Sequence, residues 1–89
     1  MIRYEWDNEK NSINKAKHGV SFEDAEQFDW ETSVSEIDDR MDYGEIRINV
    51  LGLIDGRLHV LVYTPRPPNV RIIGLRRAND RERKFYDTY

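Results

Sequence analysis

The chain has 89 residues, 38% of them hydrophobic and 35% charged, with a formal net charge of −3 and no cysteine. That length leaves room for one small domain over residues 1–89. The missing cysteines exclude a disulfide scaffold, thiolate zinc sites and thiol nucleophiles. No apolar run approaches the roughly 18 residues a membrane span needs, and the opening residues lack a signal-peptide pattern. A cytoplasmic protein without membrane association is the expectation.

The charge is divided. Residues 1–45 hold 5 Lys/Arg against 13 Asp/Glu, a balance of −8, whereas residues 46–89 hold 9 against 4, a balance of +5. All the basic residues of the second half except Lys84 are arginines. Arginine keeps its charge at any working pH and offers a planar fork that matches phosphate and carboxylate oxygens. Such a half can draw in phosphates although the whole chain is acidic. A solvated surface laced with salt bridges accounts for the same composition.

In chain order, Ile2–Trp6 alternates and favours a short strand. Asp7 can cap a helix running from Glu9 to Lys17, with Gly19 as its stop. The apolar stripe of this helix is thin (Ile13, Ala16), which places it on the surface. Ser21 and Asp24 have the spacing of a capping box, and Phe22, Ala25 and Phe28 give one face of a second helix over 22–28. The polar, acidic stretch Asp29–Asp42 reads as a loop. Period two then begins: Ile46, Ile48 and Val50 point one way, Glu45, Arg47 and Asn49 the other. Asp55-Gly56 signals a hairpin. The returning strand, Leu58–Thr64, alternates Leu58, Val60 and Val62 with His59, Leu61 and Tyr63. Prolines 65, 67 and 68 remove ladder donors and demand a turn over 65–69. Val70–Leu75 is apolar on both sides, as in a central strand, and strict alternation puts Arg71, Ile73, Leu75 and Arg77 on one face with Arg76 opposite. A helix closes the chain over Ala78–Tyr89. The fold class expected is α+β: a short N-terminal strand, two helices, a three-stranded antiparallel meander and a C-terminal helix.

Tyr4-Glu5-Trp6-Asp7, Asn14, Lys17-His18-Gly19-Val20-Ser21-Phe22, Ala25, Tyr43-Gly44-Glu45, Arg47, Tyr63-Thr64, Arg71-Ile72-Ile73, Arg76-Arg77-Ala78, Glu82-Arg83 and Tyr86 occur in that order. Spread over residues 4–86, this set resembles the BrnT toxins of type II toxin–antitoxin systems. The resemblance implies a RelE-like fold and an endoribonuclease that inhibits translation. It also implies neutralisation by a ribbon-helix-helix, BrnA-like antitoxin in a hetero-oligomer that binds operator DNA. Two features depart from the family pattern: Gly74 and Leu75 stand where serine and alanine are common, and the 65–69 turn is unusually rich in proline.

RNA carries its own nucleophile, the 2′-hydroxyl. Cleavage without a metal needs a base near that hydroxyl, an acid near the departing 5′-oxygen, and cations around the phosphorane. Glu45 or His18 is the candidate base. Lys17, Arg47 and Arg76 or Arg77 are candidates for stabilising phosphate charge, Arg71 and Arg77 for binding RNA, and Tyr86 for stacking on a base or donating a proton. Each has a plainer reading: Lys17 and His18 as cations offsetting a helix C-terminus, Glu45 and Arg47 as a salt-bridge pair, Arg81, Arg83 and Lys84 beside Glu82 as a helix surface. His59 reads as a strand surface residue. It is the only other imidazole, so a metal site at His18 is disfavoured, and no cofactor is expected. Competing functions are a binding module that recognises nucleic acid or an acidic peptide without cleaving, and an adaptor with no nucleic-acid role. The acidic 29–42 stretch, with Glu36, Asp38, Asp39 and Asp42, is the segment expected to face the antitoxin or to shield the protein's own basic half.

Overall fold

The computed structural model describes residues 2–38 and 44–89. The elements are strand β1 (Arg3–Glu5), helix α1 (Asn8–His18), a 3₁₀ helix (Phe22–Gln27), strands β2 (Phe28–Asp38), β3 (Arg47–Ile54), β4 (Arg57–Arg66) and β5 (Asn69–Arg77), and helix α2 (Asp80–Asp87). The strands form one sheet in the order β1-β5-β4-β3-β2, antiparallel except where β1 joins β5 in parallel.

Local chemistry sets the helix ends. The Asp7 carboxylate accepts from the N–H groups of Glu9 and Lys10 at 2.8 and 3.2 Å, and Gly19 closes α1 at φ 72°, a left-handed conformation that glycine adopts without a Cβ penalty. No residue of α1 is buried. Amide side chains dock it instead. Asn14 Nδ2 donates to the carbonyls of Val20 and Leu75 at 2.9 and 2.7 Å, and Asn11 Oδ1 accepts from the Phe22 N–H at 2.8 Å. The Ser21–Asp24 capping box is present, but it heads a 3₁₀ helix and not an α-helix. That turn has only six residues before Phe28 enters β2, and 3₁₀ geometry is the usual form of so short a piece.

The core lies on the sheet face that α1 and the 3₁₀ helix cover: Val20, Phe22, Ala25, Phe28, Val50, Ile54, Leu61, Ile72 and Leu75. Trp6 meets Phe22 edge-to-face, and Trp30 does the same with Phe28 and Tyr63, geometries that aromatic quadrupoles favour. The opposite face carries Leu51, Val60 and Val62 under α2.

Three expectations change. Residues 29–38 belong to an edge strand and not to a loop, so the meander has four strands and the sheet five. Trp30, Thr32, Val34 and Ile37 supply the β-formers, while Glu31 and Glu36 are tolerated because an edge leaves them in water; residues 39–42 and Tyr43 lie outside the described residues. The proline turn is confined to Pro67-Pro68, since Pro65 and Arg66 continue β4 opposite Val70 and Asn69. Finally, β5 does not alternate strictly. Tyr63 lies opposite Ile72 but Val62 lies opposite Gly74, so Ile73 is an extra, bulged residue. Ile72 and Leu75 thereby reach the same core, whereas Arg71 turns to the face opposite Leu75 and Arg77.

Gly52 faces the core in β3, and a Cβ there would collide with the Phe28 ring, whereas one at Gly74 would meet Val62 at an ordinary 3.9 Å. Gly52→Ala is therefore expected to lower unfolding free energy by about 1–3 kcal/mol, the usual range for overpacking, with Gly74→Ala close to neutral. Urea melts of the two variants check this contrast.

Candidate functional site

The face beneath α2 gathers charge at both ends of β5. At one end the strand register places Asp38 opposite Arg47, Thr64 opposite Arg71, and Arg71 opposite Glu5. Arg47 lies one step beyond the Ile48–Tyr63 pair, level with Thr64. A polar row thus crosses all five strands. Arg71 Nη1 donates to Glu5 Oε2 at 2.8 Å and Asn69 Nδ2 to Glu5 Oε1 at 3.0 Å. Glu45 lies just before β3, where its carboxylate is 4.0 Å from Arg47 Nε and 3.6 Å from Arg66 Nη2.

At the other end, Arg76 donates through both terminal nitrogens to Glu82 of α2, at 2.9 and 2.8 Å. This fork-to-carboxylate pairing is the strongest geometry an arginine has. Glu82 also completes the Asn79 capping box that starts α2. Farther along the helix the Tyr86 hydroxyl donates to the Thr32 carbonyl at 3.0 Å. These bonds hold a helix that buries no residue of its own.

Of the residues nominated from sequence, Glu45, Arg47, Arg71, Arg76 and Tyr86 surround this face. Lys17, His18 and Arg77 do not join them. Lys17 and His18 end α1 on the covered side of the sheet. His18 and Arg77 line a second cleft with Arg57 and His59. His59 is only 5% exposed, with Nδ1 2.8 Å from the Arg57 carbonyl, and is therefore not the surface residue that alternation suggested. Among the described residues no His, Cys, Asp or Glu group could hold a metal ion, and no helix is long and apolar enough to cross a membrane.

Sequence reasoning passed over Glu5, Thr64, Arg66 and Glu82 as site residues. Parity along β4 carries Thr64 and Arg66 onto the face of Val60 and Val62 once the strand extends through Pro65. Nothing in the sequence pairs Glu5 with Arg71, because β1 and β5 meet from opposite ends of the chain.

The Glu82 carboxyl is held below the usual glutamate range first by its hydrogen bonds from Arg76, against an opposing desolvation. Glu5 is held down by the Asn69 amide and then by Arg71. Each carboxyl adds stability that is complete above the ordinary glutamate pKa of about 4.3 and is lost as pH falls through the lower folded value. Thermal unfolding followed against pH should show stability decreasing below about pH 4, with Glu82→Gln reducing that acid dependence. An unchanged acid dependence in the variant would contradict the role of the Arg76–Glu82 pair.

A family model described as the ribonuclease toxin, BrnT, of type II toxin–antitoxin systems matches residues 6–82. No curated protein matches the chain.

Proposed function

The chain belongs to the BrnT family, the ribonuclease toxins of type II toxin–antitoxin systems, and we propose that its RNA site is the arginine-lined face under α2. The observation that carries this reading is the set of carboxylate–arginine pairs on that one face: Glu5–Arg71, Glu45 with Arg47 and Arg66, and Glu82–Arg76. Carboxylates hold each guanidinium in a defined orientation before substrate arrives, and a phosphodiester offers the same fork of oxygens in exchange.

In the reaction proposed, Glu45 takes the proton of the ribose 2′-hydroxyl. The 2′-oxygen forms a bond to phosphorus, the bond to the 5′-oxygen breaks, and a water molecule protonates that departing oxygen and regains its proton from Glu45. Arg47 and Arg76 stabilise the charge that builds on the phosphorane, and Arg71 and Arg66 bind flanking phosphates. The Tyr86 hydroxyl hydrogen is directed at Thr32, which leaves its ring for stacking on a base. Because RNA supplies the nucleophile and the side chains supply base and cations, no metal is needed for this chemistry. Lys17 acts as a helix-terminal cation, and His18 ends the same helix. The wider reading is a RelE-like toxin domain in the cytoplasm, inhibiting translation until a ribbon-helix-helix, BrnA-like antitoxin binds it, the complex then occupying operator DNA.

Cleavage of a labelled RNA in EDTA tests the mechanism. Fragments ending in 2′,3′-cyclic or 3′-phosphate are expected, with Arg47→Ala and Arg76→Ala each reducing the rate by about 100-fold or more, the scale of losing one oxyanion donor. Unchanged rates in folded variants would remove these arginines from the reaction.

One observation favours a second reading, a binding module that no longer cleaves. Gly74 offers no side chain to the face between Arg71 and Arg76, where a serine hydroxyl is common in relatives, and a Cβ fits there without collision. Gly74→Ser should fold normally. If the natural protein leaves RNA intact and the serine variant cuts it, the chain is a decayed toxin; equal cutting by both makes the glycine neutral.

A further inference from the structure

The second half of β2 lines a groove, and among the described residues no strand pairs with its outer edge. Val34, Ser35, Glu36, Ile37 and Asp38 all line a cavity of about 570 Å³ whose floor is Leu51, Val60 and Val62 and whose far wall is α2. Consecutive strand residues point to opposite faces of a sheet. A groove that touches all five of them therefore runs along the backbone edge and not over one face alone.

The two halves of β2 differ. Between Asp29, opposite Leu53, and Val34, opposite Leu51, the register is broken by extra residues. Such a bulge blunts an edge against unwanted pairing. From Val34–Leu51 to Asp38–Arg47 the register then runs without interruption. This regular half ends a five-stranded sheet and carries Ile37 at 67% exposure, beside Ile46 at 59%. Protective edges carry charge or proline at such positions; Ile37 leaves this regular edge without that protection on one face.

Its charge says what covers it. Phe28–Asp38 has no lysine or arginine; Glu31 and Glu36 are exposed on it, Asp29 is half-buried, and Asp38 is buried opposite Arg47. That edge repels RNA phosphates and attracts a basic polypeptide. Phe85 at 45% and Tyr89 at 78% exposure add aromatic contact on the α2 side.

We infer that an extended segment of the antitoxin pairs with the Val34–Asp38 edge of β2 as a sixth strand. Ile37 lies opposite Ile48 and Glu36 opposite Asn49, so the two are on different faces. Apolar side chains on one side of the added strand cover Ile37, and basic ones on the other enter the groove beside Glu36. Main-chain hydrogen bonds supply affinity in such strand addition, and alternate side-chain pockets supply specificity. The same groove is lined by Arg76, Arg81 and Glu82, so a strand lying in it closes access to Arg76. This assignment rests on the reading of the chain as a toxin held by a protein antitoxin, and it places inhibition at the wall of the RNA site.

Hydrogen exchange on the free toxin and on its complex with the co-expressed cognate antitoxin provides the test, with RNA cleavage by the free toxin measured alongside. Alternate amides of Val34–Asp38, those that point away from β3, should exchange far more slowly in the complex. Glu36→Arg with Ile37→Arg, which puts like charge on the edge, should weaken the complex by tenfold or more (about 1.4 kcal/mol), with circular dichroism of the free variant showing that the fold is kept. A stable complex in which these amides stay as fast as in the free protein overturns the inference. So does edge protection in free toxin that elutes as a dimer, since the occupant would then be a second copy. Protection with no cleavage overturns the proposed RNA site and leaves strand addition standing; cleavage without protection does the reverse.

Discussion

A single extra residue in β5 determines which charges can meet. A regular strand alternates, so Ile72 and Leu75, three apart, would face opposite sides of the sheet. Both are nearly fully buried in the same core. The bulge at Ile73 reconciles them. Burying both apolar side chains is worth several kcal/mol in total, more than the ladder hydrogen bond that a bulge disrupts. The consequence for function is indirect: with Ile72 and Leu75 both inside, Arg71 and Arg76 both face the α2 side, with Gly74 between them. Arg77 is left on the other face, beside His59 and His18.

The arginines so gathered meet carboxylates from distant parts of the chain, Glu5 from the first strand and Glu82 from the last helix. Exposed ion pairs of this kind contribute little to stability. Their larger effect is orientation, since a guanidinium already held in a fork loses less freedom when a phosphate replaces the carboxylate. Glu82 does this while capping α2, so the helix that roofs the face and the residue that orients Arg76 are established together.

Packing around the site is uneven. The aromatic core and the 3₁₀ helix make one side of the sheet dense, while α1 and α2 are attached through polar groups, Asn11 and Asn14 in one case and Glu82 and Tyr86 in the other. Partly buried amide hydrogen bonds of this sort are directional and costly to leave unmade, so α1 keeps its place without an apolar stripe. The acidic edge strand and the arginine face also lie on different sides of one groove. A chain of net charge −3 can therefore present two surfaces of opposite preference.

The sequence by itself determined whatever depends on near neighbours. The Asp7 and Gly19 helix limits, the Ser21–Asp24 cap, the Asp55-Gly56 hairpin and the alternation of β3 and β4 all follow from residues a few positions apart. The ordered motifs from Tyr4 to Tyr86 carried the family. Tertiary structure decided the rest. Whether Asp29–Asp38 forms a loop or a strand depends on β3 lying beside it, because an acidic edge strand has no periodicity of its own to announce it. Which arginines share a face depends on how the core takes up Ile72 and Leu75, and Glu5 reaches Arg71 only once β1 pairs with β5. Those are long-range contacts, and their energies belong to the folded sheet and not to any local stretch of chain.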